Sequence, residues 1–175
     1  RAWRWAVPAE LNIAQDCCTR HLGRDRTALR WEDESGATAR YTYDEIQRRA
    51  NRLSNALAAL GVAPGDRVAI ITPQRAETAV AHVACYQMGA IAMPLSVLFG
   101  PEALEYRLQN SRAVVAIVDP QSIAAVAEIA PRCPDLAQVI GVAGAAESRT
   151  LAFDDLLARA AEQFTPVRTG PRDPA

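Results

Sequence analysis

The sequence predicts an α/β fold: a parallel sheet with crossover helices, preceded by a small antiparallel hairpin. Two observations carry this reading. Between Arg67 and Val118 short apolar runs alternate with segments of helical period, as strand–helix–strand units of one sheet do. Ahead of them, residues 28–33 and 37–43 are β-prone runs separated by the turn signal Glu34-Ser35-Gly36. In a chain of 175 residues, 50% of them hydrophobic, there is enough apolar material for one sizeable core.

In chain order, the first residues, with Trp3, Trp5 and Pro8, show no period and are expected to lie across a larger body as a docking arm. Asn12 is placed to cap a short helix through about Arg20. Thr42 opens the next helix. Its hydroxyl can accept the Glu45 amide hydrogen while the Glu45 carboxylate reaches back to the Thr42 amide, a capping box. Ile46, Ala50, Leu53, Leu57 and Leu60 then form one apolar stripe, with Arg48, Arg49, Arg52 and Asn55 largely outside it and Glu45 and Arg49 a favourable pair one turn apart. Gly61 stops the helix, and Pro64-Gly65 turns the chain into a strand.

From there strands over residues 67–72, 90–95 and 113–118 alternate with helices over 76–88 and 101–110. The helix over 76–88 is apolar nearly all round and is expected to be deeply buried. A helix near 121–130 and a strand near 138–142 extend the pattern. A last helix is expected over residues 153–163, capped by Thr150 or by the acidic pair Asp154 and Asp155. Residues 1–163 are therefore read as one α/β unit, and 164–175, rich in proline and glycine, as a connector.

Composition narrows the function. Nineteen arginines, no lysine and twenty acidic residues leave a formal charge of -1 without an arginine cluster, so a nucleic-acid surface is not expected. Four cysteines without Cys-x-x-Cys spacing, and a start unlike a signal peptide, fit a reduced, cytosolic setting. Residues 79–99 have the apolarity of a membrane span, but His82, Gln87, Gly89 and Pro94 interrupt them, and a buried helix, a turn and a strand explain them better. Cys17 and His21 stand one helical turn apart, yet zinc takes about four ligands and no second pair is visible, so packing is their expected role. His82 is expected to be a packed, hydrogen-bonded histidine, and Glu32, Asp33 and Glu34 a solvated turn. No Gly-x-Gly-x-x-Gly lies between a strand and a helix, and without lysine a Walker phosphate loop and Schiff-base chemistry are both closed. No Gly-x-Ser-x-Gly elbow occurs either. No catalytic residue and no metal ligand is assigned within the chain.

A set of motifs, taken in order, carries a resemblance: Asn12-Ile13-Ala14, Tyr41-Thr42-Tyr43-Asp44-Glu45-Ile46, Gly61-Val62 with Gly65-Asp66-Arg67-Val68, and Tyr86-Gln87-Met88-Gly89-Ala90 ending in Pro94-Leu95. Together they resemble the N-terminal region of acyl-CoA synthetases, in the AMP-binding, adenylate-forming superfamily that also holds luciferases and peptide-synthetase adenylation domains. The first core motif of that superfamily resembles Leu-Thr/Ser-Tyr-x-Glu-Leu, with Tyr41 and Ile46 here in place of its two leucines. Leu98-Phe99-Gly100-Pro101-Glu102-Ala103-Leu104, followed by Tyr106-Arg107-Leu108, is most similar to the acetyl-CoA and medium-chain acyl-CoA synthetases.

The resemblance implies a ligase that joins a small carboxylic or fatty acid to coenzyme A at the expense of ATP, with Mg2+, through an acyl-adenylate. It places the phosphate loop, later acidic residues and a C-terminal-domain lysine outside these residues, with Asp173-Pro174-Ala175 similar to the stretch just before the strand that leads into that loop. The 175 residues alone are accordingly expected to be inactive, to pack in the parent against the rest of their own large domain and a C-terminal domain, and, as an isolated piece with uncovered apolar surface, to self-associate. Phe99 and Gly100 resemble a loop that borders the coenzyme A path, with Pro101 where a second glycine often stands; a cofactor-side role for these two residues is the one site expectation. Two alternatives stay open: a non-catalytic interaction or scaffold module, and an adenylation domain that loads a carrier protein.

Overall fold

The computed structural model describes residue 6 and residues 8–175. After α1 (Ile13–Cys17) and a 3-10 turn (Thr19–His21), β1 (Thr27–Glu32) and β2 (Thr38–Thr42) pair as an antiparallel hairpin. The rest runs α2 (Tyr43–Ala59), β3 (Arg67–Ile71), α3 (Ala76–Met88), β4 (Ile91–Pro94), α4 (Pro101–Ser111), β5 (Ala113–Val118), α5 (Ile123–Ile129), β6 (Gln138–Gly141), β7 (Thr150–Ala152) and α6 (Phe153–Arg159). The five strands β3 to β7 form one parallel sheet in the order β4-β3-β5-β6-β7. The fold is the expected α/β arrangement of hairpin and parallel sheet.

Alternation along the strands divides the core. Successive side chains of a strand point to opposite faces. Val68, Ile70, Val115, Ile117 and Ile140 join the buried residues of α1, α2, α3 and α6 in one cluster, while Ala69, Ile71, Ala116, Val118 and Val139 join those of α4 and α5 in another. The sheet is thus a middle layer covered on both faces, which is why β3 and β5 read as unbroken apolar runs.

The helix starts follow the local chemistry. Asn12 caps α1 through Oδ1, which accepts the Ala14 amide at 3.0 Å. Thr42 and Glu45 form the capping box of α2: the Glu45 amide donates to Thr42 Oγ1 at 3.2 Å, and Glu45 Oε2 accepts the Thr42 amide at 2.7 Å. That amide hydrogen bond holds the Glu45 carboxyl below its ordinary pKa. The expected pairing of Glu45 with Arg49 gives way to this turn-back, and the Arg49 guanidinium lies over the Tyr41 ring at 5.7 Å from its centre.

Helices α2 and α3 meet around polar groups that the apolar stripe did not announce. Gln87 is fully buried, donates from Nε2 to Ser54 Oγ at 2.7 Å and accepts from Gln47 Nε2 at 2.8 Å. Ser54 Oγ donates to the Ala84 carbonyl at 3.1 Å, and Thr19 Oγ1 donates to Gln47 Oε1 at 2.9 Å. The network ties the 3-10 turn, α2 and α3 together with its members satisfied.

Several expectations need correction. The first helix ends at Cys17 and passes into the 3-10 turn instead of continuing to Arg20. The last helix ends at Arg159, with Ala160 already extended, because Asn51 and Asn55 donate to carbonyls of residues 161–163 and draw the chain out straight. Thr150 does not cap it: the N-cap is Ala152, no side chain bonds there, and Thr150 opens the short strand β7, which sequence reading missed. Asp154 and Asp155 do occupy the first turn. Cys17 and His21 take the packing role expected of them: Cys17 Sγ faces the Ala14 carbonyl at 3.9 Å and the His21 ring packs on Tyr43 with centroids 4.7 Å apart. The arm expected around Trp3 and Trp5 lies outside the described residues, and Pro8 is exposed.

At the end of α3, Gly89 has φ 72° in the left-handed region, and a Cβ there would lie 2.8 Å from Val167 Cγ2. Gly89→Ala is therefore expected to lower the unfolding free energy by about 1–3 kcal/mol, read as a shift in denaturant midpoint. A loss below about 0.5 kcal/mol contradicts this account of the turn.

His82 is half-buried on α3, with Nδ1 3.1 Å from Tyr86 Oη, and burial holds its imidazole pKa below the ordinary value of 6.5. Above that pH the ring is neutral in the folded and unfolded chain alike. As pH falls through it, the unfolded chain takes up a proton that the folded ring resists, so stability drops until folded His82 also protonates. The urea midpoint of the wild type is expected to fall more between about pH 7 and about pH 5 than that of His82→Gln. Equal falls contradict the assignment.

Candidate functional site

In a parallel sheet the loops at the carboxyl ends of the strands converge, and ligands bind where the strand order reverses. Here the chain runs from β3 out to β4 and then returns to the far side of β3 as β5. The loop after β3 is braced internally: Thr78 Oγ1 lies 2.7 Å from both Thr72 Oγ1 and the Pro73 carbonyl, and Arg75 pairs with Glu77 at 3.2 Å. The hairpin reaches over this loop, with Trp31 Nε1 donating to the Gln74 carbonyl at 2.8 Å. The result is an open groove of about 780 Å³ whose lining includes Arg30, Trp31, Arg75, His82 and Leu95.

The loop after β4 leads to the predicted site pair. Phe99 is half-buried under Arg107, whose guanidinium carbon stands 4.0 Å from the ring centre while Nη1 donates to the Ala103 carbonyl at 2.8 Å. One ring face is thus taken by a cation–π contact that fixes the loop on α4. Gly100 is the N-cap of α4, with Pro101 at the first helical position, at φ −71° and ψ 170°. A Cβ at Gly100 meets nothing within 4 Å, so the position opens on free space. Beside it an open hollow of about 570 Å³ is lined by Gly100, Pro101, Glu102, Ala103, Glu128 and Arg132. Arg132 is held there by Glu105 at 2.8 Å. Gly100 therefore borders a surface hollow on the α4–α5 side, Phe99 packs inward against the α4–α5 core, and the groove lies between hairpin, α3 and the ends of β3 and β4.

Burial pushes the Cys18 and Cys85 thiols up to about 12, so neither is an available thiolate. Asp119 is buried at the end of β5 and accepts the Ser122 amide at 3.1 Å, closing a turn. Among the described residues no group of three or more His, Cys, Asp and Glu side chains is placed to hold a metal ion. No helix among the described residues is long and apolar enough to cross a membrane. The loop after β3 could have been singled out from the sequence by its place at the end of a parallel strand; the arrival of Trp31 over it had no local signal.

A family model for AMP-binding enzymes matches residues 17–175. The chain is 42% identical over 116 residues to the acetyl-coenzyme A synthetase of Halorhodospira halophila, a match covering 65% of this chain and 18% of that protein. With the acetyl-coenzyme A synthetase of Alkalilimnicola ehrlichii the identity is 36% over 151 residues, covering 79% of this chain and 23% of the relative. Among solved structures, the Brucella canis acyl-CoA synthetase superposes with a TM-score of 0.85 at 26% identity, covering 94% of this chain and 30% of that one. The anthranilate CoA ligase AuaEII, solved in complex with anthranoyl-AMP, gives a TM-score of 0.87 at 26% identity, covering 95% and 32%. The chain spans only a minor part of each relative's length. Motif order, sheet and these likenesses agree, and the chain belongs to the family of AMP-binding, adenylate-forming enzymes.

Proposed function

We propose that this chain is the N-terminal part of a cytoplasmic ATP-dependent acid–thiol ligase that converts a small carboxylic acid to its coenzyme A thioester. A carboxylate oxygen attacks the α-phosphorus of ATP and pyrophosphate leaves; the coenzyme A sulfur then attacks the acyl carbon of the adenylate and AMP leaves with the electron pair of the broken C–O bond. The observation that carries this reading is the identity of 42% and 36% with two acetyl-coenzyme A synthetases. In this reading the described residues form a scaffold and supply no bond-making group. In this reading Mg2+ accompanies ATP and would neutralise phosphate charge.

Phe99 and Gly100 are proposed to border the coenzyme A path. Three features support this: the hollow beside Gly100, the ring fixed by Arg107, and the free space over the glycine. Nothing lies within 4 Å of a Cβ at Gly100 and its φ is −71°, so a side chain can leave the backbone there without strain, and Gly100→Trp is the variant that adds bulk beside the hollow.

The test uses the native gene product with acids of graded length. The wild type is expected to release pyrophosphate with ATP and carboxylate alone and to form the thioester when coenzyme A is added. Gly100→Trp should raise the KM for coenzyme A by about tenfold or more, with acyl-adenylate formation unchanged. Absence of carboxylate-dependent pyrophosphate release overturns the ligase reading; an unchanged KM removes Phe99 and Gly100 from the coenzyme A path.

A further inference from the structure

The residues after α6 contain no helix or strand, yet they are bonded to the body along much of their length. Helix α2 turns a row of donors toward them. Arg52 Nη2 pairs with the Glu162 carboxylate at 2.6 Å while its Nη1 donates to the Leu157 carbonyl within α6 at 2.9 Å, Asn51 Nδ2 donates to the Glu162 carbonyl at 2.8 Å, and Asn55 Nδ2 to those of Ala161 and Gln163 at 2.8 Å. Side-chain donors that grip main-chain carbonyls fix the path of the backbone itself.

Further along, the Val167 amide donates to the Gln87 carbonyl at 2.8 Å, and the Leu11 amide donates to the Thr169 carbonyl at 2.8 Å. The Thr169 hydroxyl also donates to the Leu11 carbonyl. Asn12, 4% exposed, closes the arrangement: Nδ2 donates to the Val167 and Tyr86 carbonyls at 2.9 Å each, while Oδ1 caps α1. Val167 is seated against Gly89, where only hydrogen leaves it room. One buried amide thus joins the first helix, the last turn of α3 and the outgoing chain.

We propose that residues 161–170 are a fixed strap and that Asn12 is its latch, a positioning residue that sets where the following chain enters the site. The inference rests on the ligase reading above, in which the phosphate-binding loop follows these residues. A proline- and glycine-bearing connector without such anchors would be solvated and mobile. Held by α2, α3 and Asn12, it delivers the next segment at one place and in one direction, which matters because a misplacement of about 1 Å in a reacting site can cost about a hundredfold in rate.

The test substitutes Asn12 in the native gene product. Asn12→Asp keeps the oxygen that caps α1 but turns an acceptor toward the Val167 and Tyr86 carbonyls; Asn12→Ser keeps a cap oxygen and offers a single O–H. Thr169→Val keeps shape, removes a strap hydrogen bond and serves if Asn12→Asp does not fold. The readouts are hydrogen exchange at the Val167 amide, the thermal midpoint, and kcat and KM for ATP in carboxylate-dependent pyrophosphate release.

The Val167 amide is expected to exchange about tenfold faster or more in Asn12→Asp, with kcat down about ten- to a hundredfold and KM for ATP moved less. Asn12→Ser should fall between it and the wild type, and Thr169→Val should move both readouts in the same direction by less. Unchanged exchange overturns the latch. Faster exchange with unchanged kcat and KM overturns the positioning role, and so does a kcat loss that merely follows the thermal midpoint. A wild type that releases no pyrophosphate overturns the ligase reading and the catalytic consequence with it, and Val167 exchange then still decides whether Asn12 holds the strap.

Discussion

Two buried glutamines set the way the helical face of this molecule is assembled. Gln87 cannot enter the core of α3 unless its amide is satisfied, and Ser54 and Gln47 of α2 satisfy it at 2.7 and 2.8 Å. A buried polar group left without a partner costs about 1–3 kcal/mol, so α2 and α3 are stable in the one register that joins these groups. The last turn of α3 follows from that register. Its Tyr86 and Gln87 carbonyls hold Asn12 and Val167, and Gly89 turns the chain into β4. The N-terminal helix, the strap and the start of the edge strand all depend on the same mating of two helices.

The sheet does separate work. With apolar side chains on both faces, β3 and β5 hold α4 and α5 on one side and α2 and α3 on the other. Strand order then puts the loops after β3 and β4 at one end, where the hairpin meets them through Trp31. The polar groups of the loop after β3 are engaged with one another: Thr72 with Thr78 and Arg75 with Glu77. The sheet thus presents the loops after β3 and β4 together at one end, beside the hairpin.

Much of this was legible in the sequence because it is locally encoded. The capping box at Thr42 and Glu45, the helix stop at Gly61 and the strand–helix alternation from Arg67 to Val118 each rest on neighbours within a turn or two, and each is present in the structure. What escaped was long-range. β7 has only three residues and exists because β6 offers it an edge. The last helix stops early because α2 takes the carbonyls beyond it, contacts that span more than a hundred residues. Arg52 and Asn55 fall largely outside the apolar stripe, and no local pattern shows that they bond the chain after α6. For the site, Phe99 and Gly100 are proposed from the motif they sit in, whereas the hairpin's part in the groove required tertiary structure.

The claim that the Gln47–Gln87 contact governs the α2–α3 mating is tested most directly by a double-mutant cycle of Gln47→Leu and Gln87→Leu, followed by urea denaturation. Each single change leaves the other amide buried with a lost partner, so the account expects losses that are non-additive, with a coupling of about 1 kcal/mol or more. Additivity within about 0.5 kcal/mol would mean that the two amides stabilise the fold independently, and would contradict it.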